Sequence, residues 1–170
     1  MPRRWMPNIL TVINLLAGIL AILLAFMQQW AMAVAIVFAA ALFDSVDGRI
    51  ARRLNIANDV GRQLDIFSDL ISFGVAPATI AYLLNFADSN WNGGILVAVF
   101  LLCGVVRLVR FKVFQVKGYY VGLPITIAGP MLAVCSYLTQ EFQTLTLTVV
   151  LLVLAGLMIS TIRVPKIHFR

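Results

Sequence analysis

Six apolar runs, each about twenty residues long, leave so little chain between them that this sequence cannot build a water-soluble core. They lie at about 8–27, 31–53, 60–86, 94–112, 123–139 and 143–162. A helix needs about 20 apolar residues to cross roughly 30 Å of hydrocarbon. Inside the bilayer only helices and closed barrels satisfy their own backbone polar groups. Composition agrees: 62% of the residues are hydrophobic and 12% charged, where a soluble domain carries about 25% charged. The expected fold is all-α and integral to the membrane, a bundle of six transmembrane helices preceded by a short interfacial segment, Met1–Trp5, with residues 1–170 forming a single domain. The first run follows Arg3-Arg4 as a signal peptide would. It is longer than the roughly 7–15 residues of a signal sequence's apolar region, so it reads as a retained helix.

The net charge of +6 would suit a nucleic-acid binder if the cations formed a surface. They do not. Arg3 and Arg4 precede the first run; Arg49, Arg52, Arg53 and Arg62 surround the second junction; Arg107, Arg110, Lys112 and Lys117 surround the fourth; and Arg163, Lys166 and Arg170 follow the sixth. Helices that alternate in direction put all thirteen on one side, and the loops on the other side carry none. Positive charge retained inside places both termini, and those junctions, at the cytoplasmic face of the cell membrane. The basic excess then serves topology and anionic lipid headgroups, and no nucleic-acid partner is expected. Cys103 and Cys135 fall inside apolar runs and read as small packing residues. His168, the lone histidine, reads as a solvated tail residue.

Five of the seven acidic residues fall between Asp44 and Asp69. Asp44 and Asp47 are three apart, Asp65 and Asp69 four apart, so each pair shares one face of its helix. A carboxylate at bilayer depth costs about 2.5–3.5 kcal/mol on insertion scales, and like charges at this spacing repel. Hard divalent cations, Mg²⁺ or Mn²⁺ and one or a pair of them, are the economical neutraliser because they prefer carboxylate oxygen. Counted from Trp30 at 1.5 Å per residue, Asp44 lies about 21 Å along its helix, in the cytoplasmic half of the membrane. Asp59 reads as the cap of the third helix. Arg107 and Arg110, three apart at the same depth, present two planar forks suited to a carboxylate or phosphate. Intramembrane acids also mark ion paths, so an ion-coupled transporter or channel is the reading from a different class. Against it, these acids gather at one depth, and no internal repeat is visible.

The series Asp44-x2-Asp47-Gly48-x2-Ala51-Arg52-x8-Gly61-x3-Asp65-x3-Asp69 resembles, at every fixed position, the D-x2-D-G-x2-A-R-x8-G-x3-D-x3-D motif of the CDP-alcohol phosphotransferases. Eight fixed residues over 26 positions make the likeness specific. It implies metal-dependent transfer of a lipid phosphate from a CDP-linked lipid to an alcohol. Asp44, Asp47 and Asp65 are then metal ligands, and Asp69 is the catalytic base and a further ligand. Asn8, Thr11, Asp44, Gly48, Ala51, Arg52, Gly61 and Asp65 become the contacts to the CDP-lipid. Asn8, Thr11 and Asn14 share one stripe of the first helix, in a Pro-Asn-x-x-Thr-x-x-Asn opening similar to the family's; helix capping and interhelical hydrogen bonding are the plainer roles.

Phe73-Gly74-Val75-Ala76-Pro77, Arg107-x-x-Arg110-Phe111 and Gly122-Leu123-Pro124 are similar to the integral-membrane phosphatidylserine synthases. That likeness implies CDP-diacylglycerol and L-serine as substrates, with Arg107 and Arg110 on the serine carboxylate, Ser72 or carbonyls near Phe73-Gly74 on its ammonium, and Lys112 nearby. Lys112 stands where those enzymes usually have asparagine, which keeps glycerol 3-phosphate or inositol phosphate open as acceptors. Family resemblance also implies a homodimer among membrane lipids.

Overall fold

The computed structural model describes residues 6–54, 59–87, 90–113, 119–139, 144–160 and 163–165. Among the described residues six helices make up the bundle. They are α1 (Met6–Phe26), α2 (Trp30–Leu54), α3 (residues 59–86), α4 (Asn90–Val113), α5 (Ile125–Leu138) and α6 (Thr144–Ile159). Among the described residues three contain stretches long and apolar enough to cross a membrane, Ile9–Phe26, Gln63–Phe86 and Asn92–Arg110; Trp30–Ser45, Ile125–Leu138 and Thr144–Ile159 are shorter apolar stretches. The outward sides of α1 and α6 are apolar too, with Ile13, Leu16, Leu23, Phe26, Leu145 and Val153 exposed. In water such a surface would aggregate; on a multi-pass membrane protein it is the lipid face.

Helix α1 stops because Gln28 takes a left-handed conformation (φ 60). Its amide then donates to Ala25 O at 3.0 Å and that of Gln29 to Leu24 O at 2.8 Å, so the last carbonyls of α1 are satisfied and the chain reverses within three residues. Helix α2 is apolar to Phe43 and continues, carrying Asp44, Asp47, Arg49, Arg52 and Arg53, to Leu54.

Helix α3 is the axis of the bundle. It packs against α1, α2, α4 and α5, and Phe73, Ala76, Ala78, Ile80 and Ala81 are shut away inside it. It is α-helical over Asp59–Asp69, widens to a π-helix over Leu70–Val75, resumes as α over Ala76–Ala81 and widens again over Tyr82–Phe86. Pro77 accounts for the first widening: it has no N–H to return to the carbonyl of Phe73, and its ring crowds that turn. The widened turn lies immediately before the proline. Gly129 of α5 lies against the same turn, where a Cβ would overlap Phe73 O and come within 2.8 Å of its carbonyl carbon. The two backbones touch, and only glycine fits between them.

Two apolar clusters complete the core. Phe73, Phe100, Ile125, Leu132, Leu147 and Leu151 join α3 to α4, α5 and α6. Ala21, Ala25, Ala33, Val37, Ala76 and Ile80 join α1, α2 and α3, with alanines drawing the helices close. One feature departs from the purely helical expectation. Residues Tyr119–Val121 (β1) pair antiparallel with Arg163–Pro165 (β2), Tyr120 opposite Val164. The ribbon is held beside the end of α6 by Gly122, whose positive φ of 77 and closeness to Met158 O exclude any side chain. The amide of Leu123 donates to Leu157 O at 3.0 Å.

Candidate metal and substrate site

Asp44 of α2 and Asp65 and Asp69 of α3 converge. Each offers a carboxylate oxygen, and the three oxygens lie within 4.8 Å of one another. Asp65 is exposed, while Asp44 and Asp69 are half-buried, so the cluster forms a cleft open on one side. The helical spacing explains the convergence. Four residues on α3 bring Asp65 above Asp69 on the face turned to α2, and Asp44 meets them from across that interface. Three carboxylates at this separation repel strongly unless a cation lies among them. Their all-oxygen donor set, with one side open to a substrate, fits Mg²⁺ or Mn²⁺.

What fixes Asp69 in place is the seam between α1 and α3, which run in the same direction. Ser68 donates to Thr11 O at 3.1 Å and Ser72 to Asn14 O at 2.7 Å. One turn further on, Gly18 leaves no room for a Cβ beside Ser72, whose Oγ would lie 2.5 Å away. These bonds bracket Asp69 between two serines tied to the neighbouring helix, and the first π-helical turn starts directly after it. Asn14, buried on α1, turns its amide to Asp69, Nδ2 to Oδ1, at a long 3.4 Å. Arg107 of α4, only 9% exposed, lies close enough to act on the charge of Asp69, as do Asp44 and Asp65. A buried guanidinium beside three clustered acids offsets part of their charge and leaves a cationic wall on the cleft.

The remaining residues singled out from the sequence divide into three groups. Gly61 stands in the first turns of α3, and Thr11 lies beside the site through its carbonyl. Ser72 and Arg110 are occupied with structure: Ser72 is fully buried and bonded to α1, and Arg110 donates from Nη1 to Ile159 O at 3.1 Å, closing the end of α6. The backbones of Asn8, Asp47, Gly48, Ala51, Arg52 and Lys112 belong to α1, α2 and α4, and their side chains lie outside the described residues. Asn14 is the residue whose place was least expected from the sequence. Its only signal was the shared stripe with Thr11. An apolar cavity of about 350 Å³ between α1, α3 and α4, lined by Phe26, Val75, Ala78, Tyr82, Gly94 and Leu101, begins at the last residue of the first π turn, and none of the acids lines it.

Three carboxylates from two helices, on this motif, in an apolar bundle define an enzyme of lipid-phosphate chemistry, and sequence comparison agrees. The CDP-alcohol phosphatidyltransferase family matches residues 4–162; the chain belongs to that family. Its relatives include a CDP-diacylglycerol–serine O-phosphatidyltransferase of Bacillus subtilis, 34% identical over 98% of this chain and 92% of the relative. A protein of the same name from Methanocaldococcus jannaschii is 40% identical over 92% of this chain and 71% of its own length. An archaetidylserine synthase of Methanothermobacter thermautotrophicus is 35% identical over 95% and 70%.

Proposed function

We propose that this protein transfers the phosphatidyl group of CDP-diacylglycerol to the hydroxyl of L-serine, releasing CMP and forming phosphatidylserine at the cytoplasmic face of the membrane. The observation that carries the reading is the convergence of Asp44, Asp65 and Asp69 in a chain whose full-length relatives are named for transfer to serine. Bacterial and archaeal relatives named for different lipids share the serine acceptor, so the acceptor is the more transferable half of the assignment.

Asp44, Asp65 and Asp69, with Asp47 on the same helix as Asp44, would hold two divalent cations. Cations bound there would supply positive charge for the diphosphate and the departing CMP and would acidify the acceptor hydroxyl. The chain's own residues do the rest. Asn8, Thr11, Gly48, Ala51, Arg52 and Gly61 form the CDP-lipid contacts, the glycines admitting the nucleotide close to the backbone and Arg52 pairing with phosphate. Asp69, held by the α1–α3 seam, faces the acceptor and takes the hydroxyl proton as the oxygen bonds to the phosphorus that carries the diacylglycerol. The bond from that phosphorus to the oxygen of CMP breaks as the new one forms. Arg107 offers the acceptor carboxylate a buried cation. Two copies of the bundle associate in the membrane.

The test follows CMP release from CDP-diacylglycerol by purified protein given serine, glycerol 3-phosphate or inositol phosphate in turn. Serine alone should support release, and chelation of divalent cations should abolish it until Mg²⁺ or Mn²⁺ is restored. Release with glycerol 3-phosphate and none with serine would replace the acceptor; Lys112, an extra cation two residues after Arg110, is the feature that favours that alternative. Full activity after chelation would remove the cations from the mechanism. Crosslinking in mild detergent that yields only monomer would remove the dimer.

A further inference from the structure

We propose that the side-chain carbonyl of Asn14 receives the ammonium group of the acceptor amino acid at Asp69, making Asn14 a specificity-determining residue of the transfer; the inference rests on serine being the acceptor. Asn14 is 8% exposed on α1. Its Nδ2 is turned to Asp69, and among the described residues no donor reaches its Oδ1, which is closed off from solvent. The amide orientation follows from its neighbour, because a carboxylate accepts from the amide N–H₂ and repels the amide oxygen. The oxygen therefore faces away from Asp69 with no partner. A buried carbonyl without a donor is unfavourable and rare in native structures, and it is retained where a ligand completes it.

The helix is held so that this oxygen stays put. Ser72 bonds the backbone carbonyl of Asn14 itself, and Ser68 bonds that of Thr11 one turn earlier. Serine carries its hydroxyl and its ammonium on adjacent carbons. A hydroxyl seated at Asp69 thus brings the ammonium within a few ångström, next to the amide that touches the same carboxylate. Arg107, buried on α4 and close enough to act on the charge of Asp69, would meet the carboxylate. Asn14 for the ammonium and Arg107 for the carboxylate would read the zwitterion from two helices. The hydroxyl of Ser72, already given to α1, is not needed. Oδ1 is closed off from solvent, so seating the acceptor there must displace a neighbouring side chain.

The test compares serine with 3-hydroxypropionate, which has the same hydroxyl and carboxylate and lacks the amino group, in CMP release by wild type and by Asn14→Ala. A hydrogen bond to a charged group is worth roughly tenfold to a hundredfold in affinity. Asn14→Ala should therefore raise the KM for serine by about that factor, leave the KM for CDP-diacylglycerol unchanged, and cut the preference for serine over 3-hydroxypropionate at least about tenfold. A merely structural role would depress both acceptors in equal proportion, and that result would overturn the inference. Should Asn14→Ala lose its helical signal or its melting transition, Asn14→Leu, which fills the same volume without polar atoms, carries the same comparison. If wild type releases no CMP with serine, the proposed reaction falls and this inference with it. A wild type active on serine with an unchanged preference in the variant removes Asn14 alone.

Discussion

At one end α3 carries Asp65, Ser68, Asp69 and Ser72; at the other it carries Thr79, Asn85 and Phe86. The first end is open, its acids crowd one another, and its serines bond across to α1. At the far end Thr79 bonds back into its own helix at Val75 O, Asn85 donates to Ser136 O of α5 at 3.1 Å, and Phe86 is buried. The far end satisfies its polar groups and spends them on packing. The acid end keeps three carboxylates crowded together with their charge offset only in part by Arg107, an arrangement that favours the binding of a cation.

The largest effect should come from removing a carboxylate. Asp69→Asn or Asp65→Asn should lower CMP release by more than about a thousandfold, within the range that a lost base or metal ligand produces. Stability should move the opposite way. Neutralising one of three acids whose oxygens lie within 4.8 Å relieves repulsion in the metal-free protein, so its melting temperature should rise. A variant that is inactive and also less stable without metal would mean that the acids hold the bundle together, and the contrast between the ends would collapse.

The junction between the two ends comes next. A Cβ on Gly129 meets the backbone of Phe73, which cannot swing aside as a side chain tip can, whereas a Cβ on Gly94 meets nothing within 4 Å. Overpacking of this kind costs about 1–3 kcal/mol and sometimes more. Gly129→Ala should lower the melting temperature clearly or reduce the folded yield in membranes, and Gly94→Ala should change neither. Equal behaviour of the two variants would deny that α3 and α5 are in backbone contact.

How much of this was legible in the sequence follows from what each feature depends on. The six helices came from apolar runs, which report burial in lipid without reference to neighbours, and their ends fall within a few residues of the observed ones. Pro77 announced the disturbed helix because a missing N–H is a local property. The gathering of Asp44, Asp65 and Asp69 was legible because two helical spacings and a family motif converge. Ser72 and Arg110 were singled out for the acceptor on their chemistry and on the likeness to serine-using enzymes. Their hydrogen bonds depend on which helix stands beside α3 and where α6 ends, and no periodicity carries that. The same holds for Asn14, whose amide reaches Asp69 only because Ser68 and Ser72 draw α1 against α3. The β1–β2 ribbon was missed for another reason: three-residue strands are too short to show an alternating pattern.

Within the acid end, the two arginines of α4 should separate. Arg107 is buried beside Asp69, and Arg110 is tied to Ile159 O. Arg107→Ala should reduce kcat/KM for serine by about 30-fold or more, the penalty of leaving a buried charge without its partner. Arg110→Ala gives up one hydrogen bond at a helix end, worth about 0.5–1.5 kcal/mol of stability, and its kcat/KM should fall by less than about threefold. The two constants, measured side by side with melting curves, decide it. A larger loss at Arg110 would move the carboxylate contact to that residue.

The smallest effect belongs to the far end. Asn85 Nδ2 donates to Ser136 O between α3 and α5, and that hydrogen bond, half-buried among apolar side chains, is the far end's cross-helix counterpart of the serine bonds at the site. Interhelical hydrogen bonds in membranes average about 0.6 kcal/mol, because the separated helices also find partners. The carbonyl of Ser136 would lose only that donor, and the hydroxyl of Ser136 would still bond Leu132 O at 2.7 Å. Asn85→Ala should accordingly lower the melting temperature slightly and leave both the serine KM and kcat within about twofold of wild type. The first π turn lies between Asn85 and the acids, and a widened turn with a missing N–H transmits a small shift poorly because its hydrogen-bond ladder is already interrupted. CMP release and thermal melting of this one variant therefore measure how independent the two ends are. A fall in kcat well beyond twofold, at a stability loss of only a few tenths of a kcal/mol, would mean that α3 moves as one rigid rod and that the far end helps to set the position of Asp69.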